Sequence, residues 1–199
     1  MLTETWLKDT EQINECIEDF NNRSGYVFLR KDRPGERRGG GIGICYKPGT
    51  VNFTKAKIPP SKHEVYAAVG RRIGQRRKVI VIVVYIPPFY NAEQNASVLS
   101  YVNDAVMAVK SKYDDPYIFV GGDFNKRNFR TAVSDHPDIS AAQVGATRGA
   151  AALDIIASNI NQTLVDCGTV EPIWSETGTD LTISPYLLAL GCLGSPHTT

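Results

Sequence analysis

The sequence predicts a mixed α/β or α+β sandwich, and three observations carry that expectation. Short segments rich in Val, Ile, Tyr and Phe recur along the chain, the longest being VIVIVVYI at 79–86, and this is the composition of buried strands. That run is less than half of a membrane span and meets Pro87 and Pro88, so it reads as a strand. A second kind of segment, with Val98, Tyr101, Val102, Ala105, Val106 and Val109, repeats at the helical period. No repeat and no Ser/Gly/Pro linker divides the 199 residues, a length that suits one domain with a proper core.

The elements follow in order. Thr10 is placed to cap a helix whose Ile13, Ile17 and Phe20 share one face. Residues 26–29 read as a strand and 33–40 as a basic turn, after which GGGIGICYK enters a strand through Ile42, Ile44 and Tyr46. Residues 64–69 and 79–86 form a strand pair joined across 71–77, a hairpin. The long amphipathic helix comes next, then a buried strand at 117–120 that runs into GGDFN, then a strand at 153–157.

Composition excludes several classes. With 17 Gly and 11 Pro the chain is neither collagen nor low-complexity linker, and 22 Lys+Arg against 21 Asp+Glu exclude a charged disordered tail. Met1 is followed by Glu4 and Lys8 rather than by the apolar core of a signal peptide, so an intracellular setting is expected. Cys16, Cys45, Cys167 and Cys192 form no C-x-x-C pair, and free, mostly buried thiols are expected. The net charge of +1 conceals three basic clusters: Arg30, Lys31, Arg33, Arg37 and Arg38; Arg71, Arg72, Arg76, Arg77 and Lys78; Lys126, Arg127 and Arg130. Sharing one face they would attract a polyanion; singly they are solvated turns.

Chemistry concentrates where buried strands release polar residues into loops. Glu4 interrupts the apolar start LTETWL, Tyr85 closes a run of valines, and Asp123 and Asn125 follow a buried strand, with Gly121 and Gly122 allowing close backbone approach. TRGAAALD adds Arg148 and Asp154. Each has a plain structural reading alone; together they supply carboxylates for a hard cation, Mg²⁺ or Mn²⁺, and hydrogen-bond donors for a phosphate. Competing motifs fail: Gly39, Gly40, Gly41 and Gly43 do not complete G-x-G-x-x-G, and neither a P-loop nor a G-x-S-x-G elbow is present. His63, His136 and His197 are too few for a histidine-rich metal site.

Taken in order, LTETWL, VVYIPP, VGGDFN and TRG-x-x-x-LD resemble the endonuclease/exonuclease/phosphatase family. LTETWL, GGGIGICYK and TRGAAALD are most similar to the apurinic-type endonuclease domain of non-LTR retrotransposons, over residues 2–172. The resemblance implies a four-layer sandwich of two mostly antiparallel β-sheets flanked by helices, without the family's first strand and normal C-terminal strand. It divides the chain into an incomplete domain at 1–175 and an altered tail at 176–199. By resemblance Glu4 binds the metal and Tyr85 hydrogen-bonds the scissile phosphate. Asp123 aligns or deprotonates the attacking water, Asn125 holds a phosphate oxygen, and Asp154 matches the aspartate that orients a catalytic histidine. Arg148, Lys126 and Arg127 would touch DNA.

The family's closing Ser-Asp-His motif is not found where it belongs. Asp180 stands at the place of its aspartate, as a further metal ligand, but no histidine follows, and His197 lies in the tail. Ser134-Asp135-His136 spells the motif ahead of TRG-x-x-x-LD and is read as the loop after GGDFN. The implied function is Mg²⁺-dependent phosphodiester hydrolysis by a DNA-nicking endonuclease, impaired by that loss. The implied setting is intracellular, and nuclear where the target is chromosomal DNA, with a reverse transcriptase domain expected in a longer parent protein. Two alternatives stay open: an inactive remnant that at most binds nucleic acid, and a phosphoesterase of the same fold acting on a small phosphorylated substrate.

Overall fold

The computed structural model describes residues 1–3, 5, 7–33, 40–49, 51–72, 74–125, 129–141, 154–160, 165–169 and 186–190. Their elements are β1 (Leu2–Thr3), α1 (Glu11–Ser24), β2 (Val27–Lys31), β3 (Ile42–Tyr46), β4 (Val51–Lys55), β5 (Val65–Arg72), β6 (Lys78–Tyr85), α2 (Ala92–Lys112), β7 (Tyr117–Asp123), α3 (Phe129–Ala132), β8 (Ser140–Ala141), β9 (Asp154–Ser158), β10 (Val165–Thr169) and β11 (Tyr186–Leu190). Three strands pair in the order β1-β3-β2 and six in the order β4-β5-β6-β7-β9-β8; β10 and β11 pair with each other. All described pairings are antiparallel except β6 with β7, which α2 connects as a crossover.

Strand periodicity sorts the side chains into two cores. On β6, Val79, Val81, Val83 and Tyr85 join Ile42 and Ile44 of β3 in a core between the sheets. Ile80, Ile82, Val84 and Ile86 point the other way and meet Val98, Val102, Val106 and Val109 of α2. An uninterrupted apolar run is what a strand needs when both of its faces are covered. With α1 beside β2 and α2 and α3 on the far face, the described residues make four layers: helix, sheet, sheet, helices. No helix among the described residues is long and apolar enough to cross a membrane.

The caps explain where the helices start. The Thr10 hydroxyl accepts from the Ile13 amide, and α1 ends at Gly25 in the left-handed conformation, φ 69°. α2 has a reciprocal box: the Asn91 side chain accepts from the Gln94 amide at 2.8 Å, and the Gln94 side chain accepts from the Asn91 amide at 3.0 Å.

Several expectations change. The apolar stripe of α1 is not core, since α1 holds no buried residue and Phe20 is exposed. The helix is tied on by polar contacts instead, Asn21 accepting from the Phe28 amide and Asn14 from Arg30. Cys16 is exposed and Cys45 half-buried, so the expectation of buried thiols fails at Cys16, which sits on that solvated helix. β4 is additional: its Val51 and Phe53 are buried while Asn52 and Thr54 are exposed, an alternation present in VNFTK itself. The tail expected from 176 onward also contains a strand, β11, which pairs from Tyr186 to Leu190 with β10. Backbone hydrogen bonding between two extended segments is enough to build that ribbon without the family's closing motif.

Candidate active site

The C-terminal ends of β6 and β7 bring the first candidates together. The parallel register sets Tyr85 beside Asp123, and the antiparallel register of β9 sets Asp154 on the other side of Asp123. Neighbouring strands lie about 4.8 Å apart, so three sequence-distant positions share one strand end. The strand extends through GGD, so Asp123 is its last residue rather than the first beyond it.

The two glycines allow this. Gly122 has φ 139°, and a Cβ there would run into the Val84 carbonyl. At Gly121 a Cβ would meet the Met1 sulfur at 2.8 Å and the Ile155 carbonyl at 2.9 Å. Asn125 is left-handed at φ 45°, which asparagine tolerates.

Hydrogen bonds hold the loop. The Asn125 amide donates to Asp123 Oδ1 at 2.8 Å, orienting the carboxylate. One hydrogen of the Asn125 side-chain amide goes to the Ile86 carbonyl at 2.8 Å, and the Ile86 amide donates to the Asp123 carbonyl at 2.9 Å. Tyr85 is buried in the core between the sheets, its amide donating to the Glu64 carbonyl at 2.9 Å. The Arg33 guanidinium lies over the Tyr85 ring, 5.6 Å from its centre. β1 brings the chain start to the same end: it lies against β6 and β7, and the Thr5 amide donates to the Gly41 carbonyl at 3.1 Å.

Glu4, Lys126, Arg127, Arg148 and Asp180 lie outside the described residues, as does His197, and Asp154 is described in its backbone alone. Among the described residues no three His, Cys, Asp or Glu side chains form a metal-binding group. The described donors at the site are the Asp123 carboxylate and the Asn125 amide, both oxygen-bearing, and that chemistry fits a hard divalent cation.

His136 sits elsewhere. It is buried in the helical layer with Nε2 3.3 Å from the Asn103 carbonyl, while the Asn103 side chain donates to Asp135 at 2.8 Å. Asn103 is about 17 Å along α2 from the helix end nearest Asn125. Ser134-Asp135-His136 thus fastens a loop to α2.

The described members of the basic clusters do not all converge. Arg30 pairs with Asp32 at 3.2 Å, Lys31 donates to the carbonyls of Ser61, His63 and Val65, and Arg33 pairs with Glu64. Burial, with Lys55 nearby, lowers the Lys31 pKa from its ordinary value despite Glu64. The second cluster surrounds the β5–β6 turn, a strand length of about 23 Å from Tyr85. There Arg77 pairs with Asp115 at 2.7 Å and stacks 3.9 Å over the Tyr117 ring. Of the third, Arg130 is exposed on α3, just beyond the site loop.

Solved structures share this fold. The human Nocturnin catalytic domain with bound sulfate superposes with TM-score 0.58 at 14% identity, over 83% of this chain and 69% of that one. The Bacteroides thetaiotaomicron mannosyl-6-phosphatase gives TM-score 0.62 at 12% identity, over 94% and 78%. The endonuclease domain of TRAS1, a telomere-specific non-LTR retrotransposon, gives 0.54 at 13% identity, over 74% and 72%. The chain has the endonuclease/exonuclease/phosphatase fold. No family model and no curated protein matches its sequence. At these identities the likeness is one of fold, which hosts more than one substrate class.

Proposed function

We propose that the chain is a divalent-metal-dependent phosphodiesterase of endonuclease type that nicks DNA. The observation supporting it is the meeting of Tyr85, Asp123 and Asn125 at one strand end of this fold, with Asp154 in register beside Asp123. Asp123, held by the Asn125 amide, takes the proton of the attacking water as the water oxygen bonds to phosphorus and the bond to the leaving sugar oxygen breaks. The Tyr85 hydroxyl and the second hydrogen of the Asn125 side chain donate to the phosphate oxygens as their charge grows. Glu4, with Asp180, would hold Mg²⁺ or Mn²⁺, which when bound neutralises charge on the scissile phosphate. Arg148, Lys126 and Arg127 hold the flanking DNA backbone. The lack of a Ser-Asp-His motif after Asp154 in the sequence removes, on this reading, one donor, worth about 10²- to 10³-fold in rate. On this reading the setting is nuclear, the target chromosomal DNA, and the parent protein carries a reverse transcriptase domain.

A second reading, hydrolysis of a small phosphorylated substrate, is favoured by the internal pairing of Arg30, Lys31 and Arg33 and by the remoteness of the β5–β6 cluster. The deciding experiment is nicking of supercoiled plasmid in Mg²⁺, with EDTA and Asp123→Ala as controls. Nicking abolished by both supports the endonuclease. Turnover of a small phosphodiester or a sugar phosphate, without nicking, supports the second reading, and no turnover by folded protein leaves an inactive remnant.

A further inference from the structure

We infer that Glu64 and Arg33 are positioning residues that hold the Tyr85 ring and the segment at Thr5 in one fixed relation. This inference rests on the phosphodiesterase reading for its catalytic consequence. Glu64 lies directly before β5, with its carboxylate turned inward, its side chain 8% and that of Arg33 13% exposed. One oxygen of that carboxylate, Oε1, takes both Arg33 contacts, Nε at 2.7 Å and Nη2 at 2.5 Å. The other, Oε2, accepts the Gly41 amide at 2.7 Å. Glu64 therefore joins two ends of the 33–41 segment whose middle carries further arginines.

Each end reaches a different part of the site. The Arg33 guanidinium covers the Tyr85 ring, while the Gly41 carbonyl accepts from the amide of Thr5, the residue after Glu4. The Glu64 carbonyl meanwhile accepts from the Tyr85 amide. One residue thus touches Tyr85 through its backbone and, through Arg33, over its ring.

The glycines of GGGIG fit this purpose. Gly40 and Gly41 are both left-handed, at φ 80° and 81°. A Cβ on Gly40 would collide with the Arg33 guanidinium, and one on Gly41 with the Thr5 hydroxyl oxygen. The turn is built for close approach by these two side chains, which an ordinary solvated basic loop does not require. The guanidinium matters too: its delocalised charge sits over the Tyr85 ring while its N–H groups donate to the Glu64 carboxylate, a geometry that a point-charge ammonium does not reproduce.

The test uses the full chain labelled with 3-fluorotyrosine, with the Tyr85 fluorine resonance assigned by Tyr85→Phe. Glu64→Gln keeps shape and an acceptor for Gly41 but loses the charge that holds Arg33. Arg33→Lys keeps the ion pair and loses the flat cation, and it serves if Glu64→Gln does not fold. Either variant is expected to shift the Tyr85 resonance while leaving most other tyrosines in place. In the nicking assay each is expected to lower kcat by about ten- to a hundredfold, as a misplaced group does, with KM within about twofold. The loss should largely disappear when the same change is made in Tyr85→Phe, because the effect runs through that hydroxyl. An unmoved resonance in a folded variant overturns the inference, as do full additivity with Tyr85→Phe or unchanged kcat. A shifted resonance in protein whose wild type does not nick would keep the positioning and remove the endonuclease reading.

Discussion

Asp123 and Tyr85 owe their candidate roles to their neighbours. Asp123 ends a strand, accepts from the Asn125 amide and lies in register with Tyr85 one strand away. Asp123→Asn should lower turnover by at least about a hundredfold with a native thermal melt, since it removes the base and leaves the amide contact available. Tyr85→Phe removes one donor and should cost about 10²-fold in kcat. His63 gives a separate prediction at this scale. It is buried with Nε2 3.0 Å from the Ser97 hydroxyl, its ring tilted against Tyr101. Burial, then the charges of Lys62 and Lys31, push its pKa below the ordinary 6.5. The unfolded chain therefore takes up this proton first as pH falls, so stability is lost on going below about 6.5 until the folded pKa is reached. The urea midpoint should fall between pH 7.5 and pH 5, and His63→Gln should remove part of that fall.

At the scale of elements, local rules set the boundaries and packing sets the rest. The Asn91–Gln94 box starts α2 where the chain leaves Pro87 and Pro88, and Asn91→Ala should cost about 1 kcal/mol in chemical denaturation without changing the site. Gly122→Ala should be far harsher, roughly 2–4 kcal/mol with loss of activity. A Cβ there drives into the Val84 carbonyl and displaces Asp123 next to it. Unchanged activity in Gly122→Ala would mean that the β6–β7 register does not hold the site. The elements read most plainly from sequence are those with strong periodicity: β6 with both faces apolar, and α2 with its stripe of valines. β4 and β11 are harder to see: β4 carries its alternation over only five residues, YLLAL of β11 carries none, and pairing with a partner strand makes each a strand.

For the whole molecule, charge is the deciding matter. A net +1 with paired arginines gives a weak general field, so on the endonuclease reading DNA binding would have to come from few groups near the site. Lys126→Ala and Arg127→Ala should each lower the slope of log binding constant against log salt by about 1, whereas Arg76→Ala at the far turn should leave it unchanged. Fluorescence-anisotropy titrations at several salt concentrations measure this. A drop in slope for Arg76→Ala instead would place the DNA track along the β5–β6 turn.

The sequence by itself determined the class of fold and the residues in line for chemistry, because both are written locally. Strand and helix periods span a few residues, and VVYIPP and GGDFN each place a candidate side chain at the end of its own strand. Only the tertiary structure decided what those residues meet. Glu64 and Arg33 are 31 positions apart, so their bond is written in no motif. His136 belongs to α2 because its ring finds the Asn103 carbonyl 33 positions away, whatever its tripeptide spells. Of the arginines that would draw a polyanion only if their clusters shared a face, Arg30, Arg33 and Arg77 pair with Asp32, Glu64 and Asp115. Charge on a sequence is a sum, whereas charge on a surface depends on which partners the fold has already supplied.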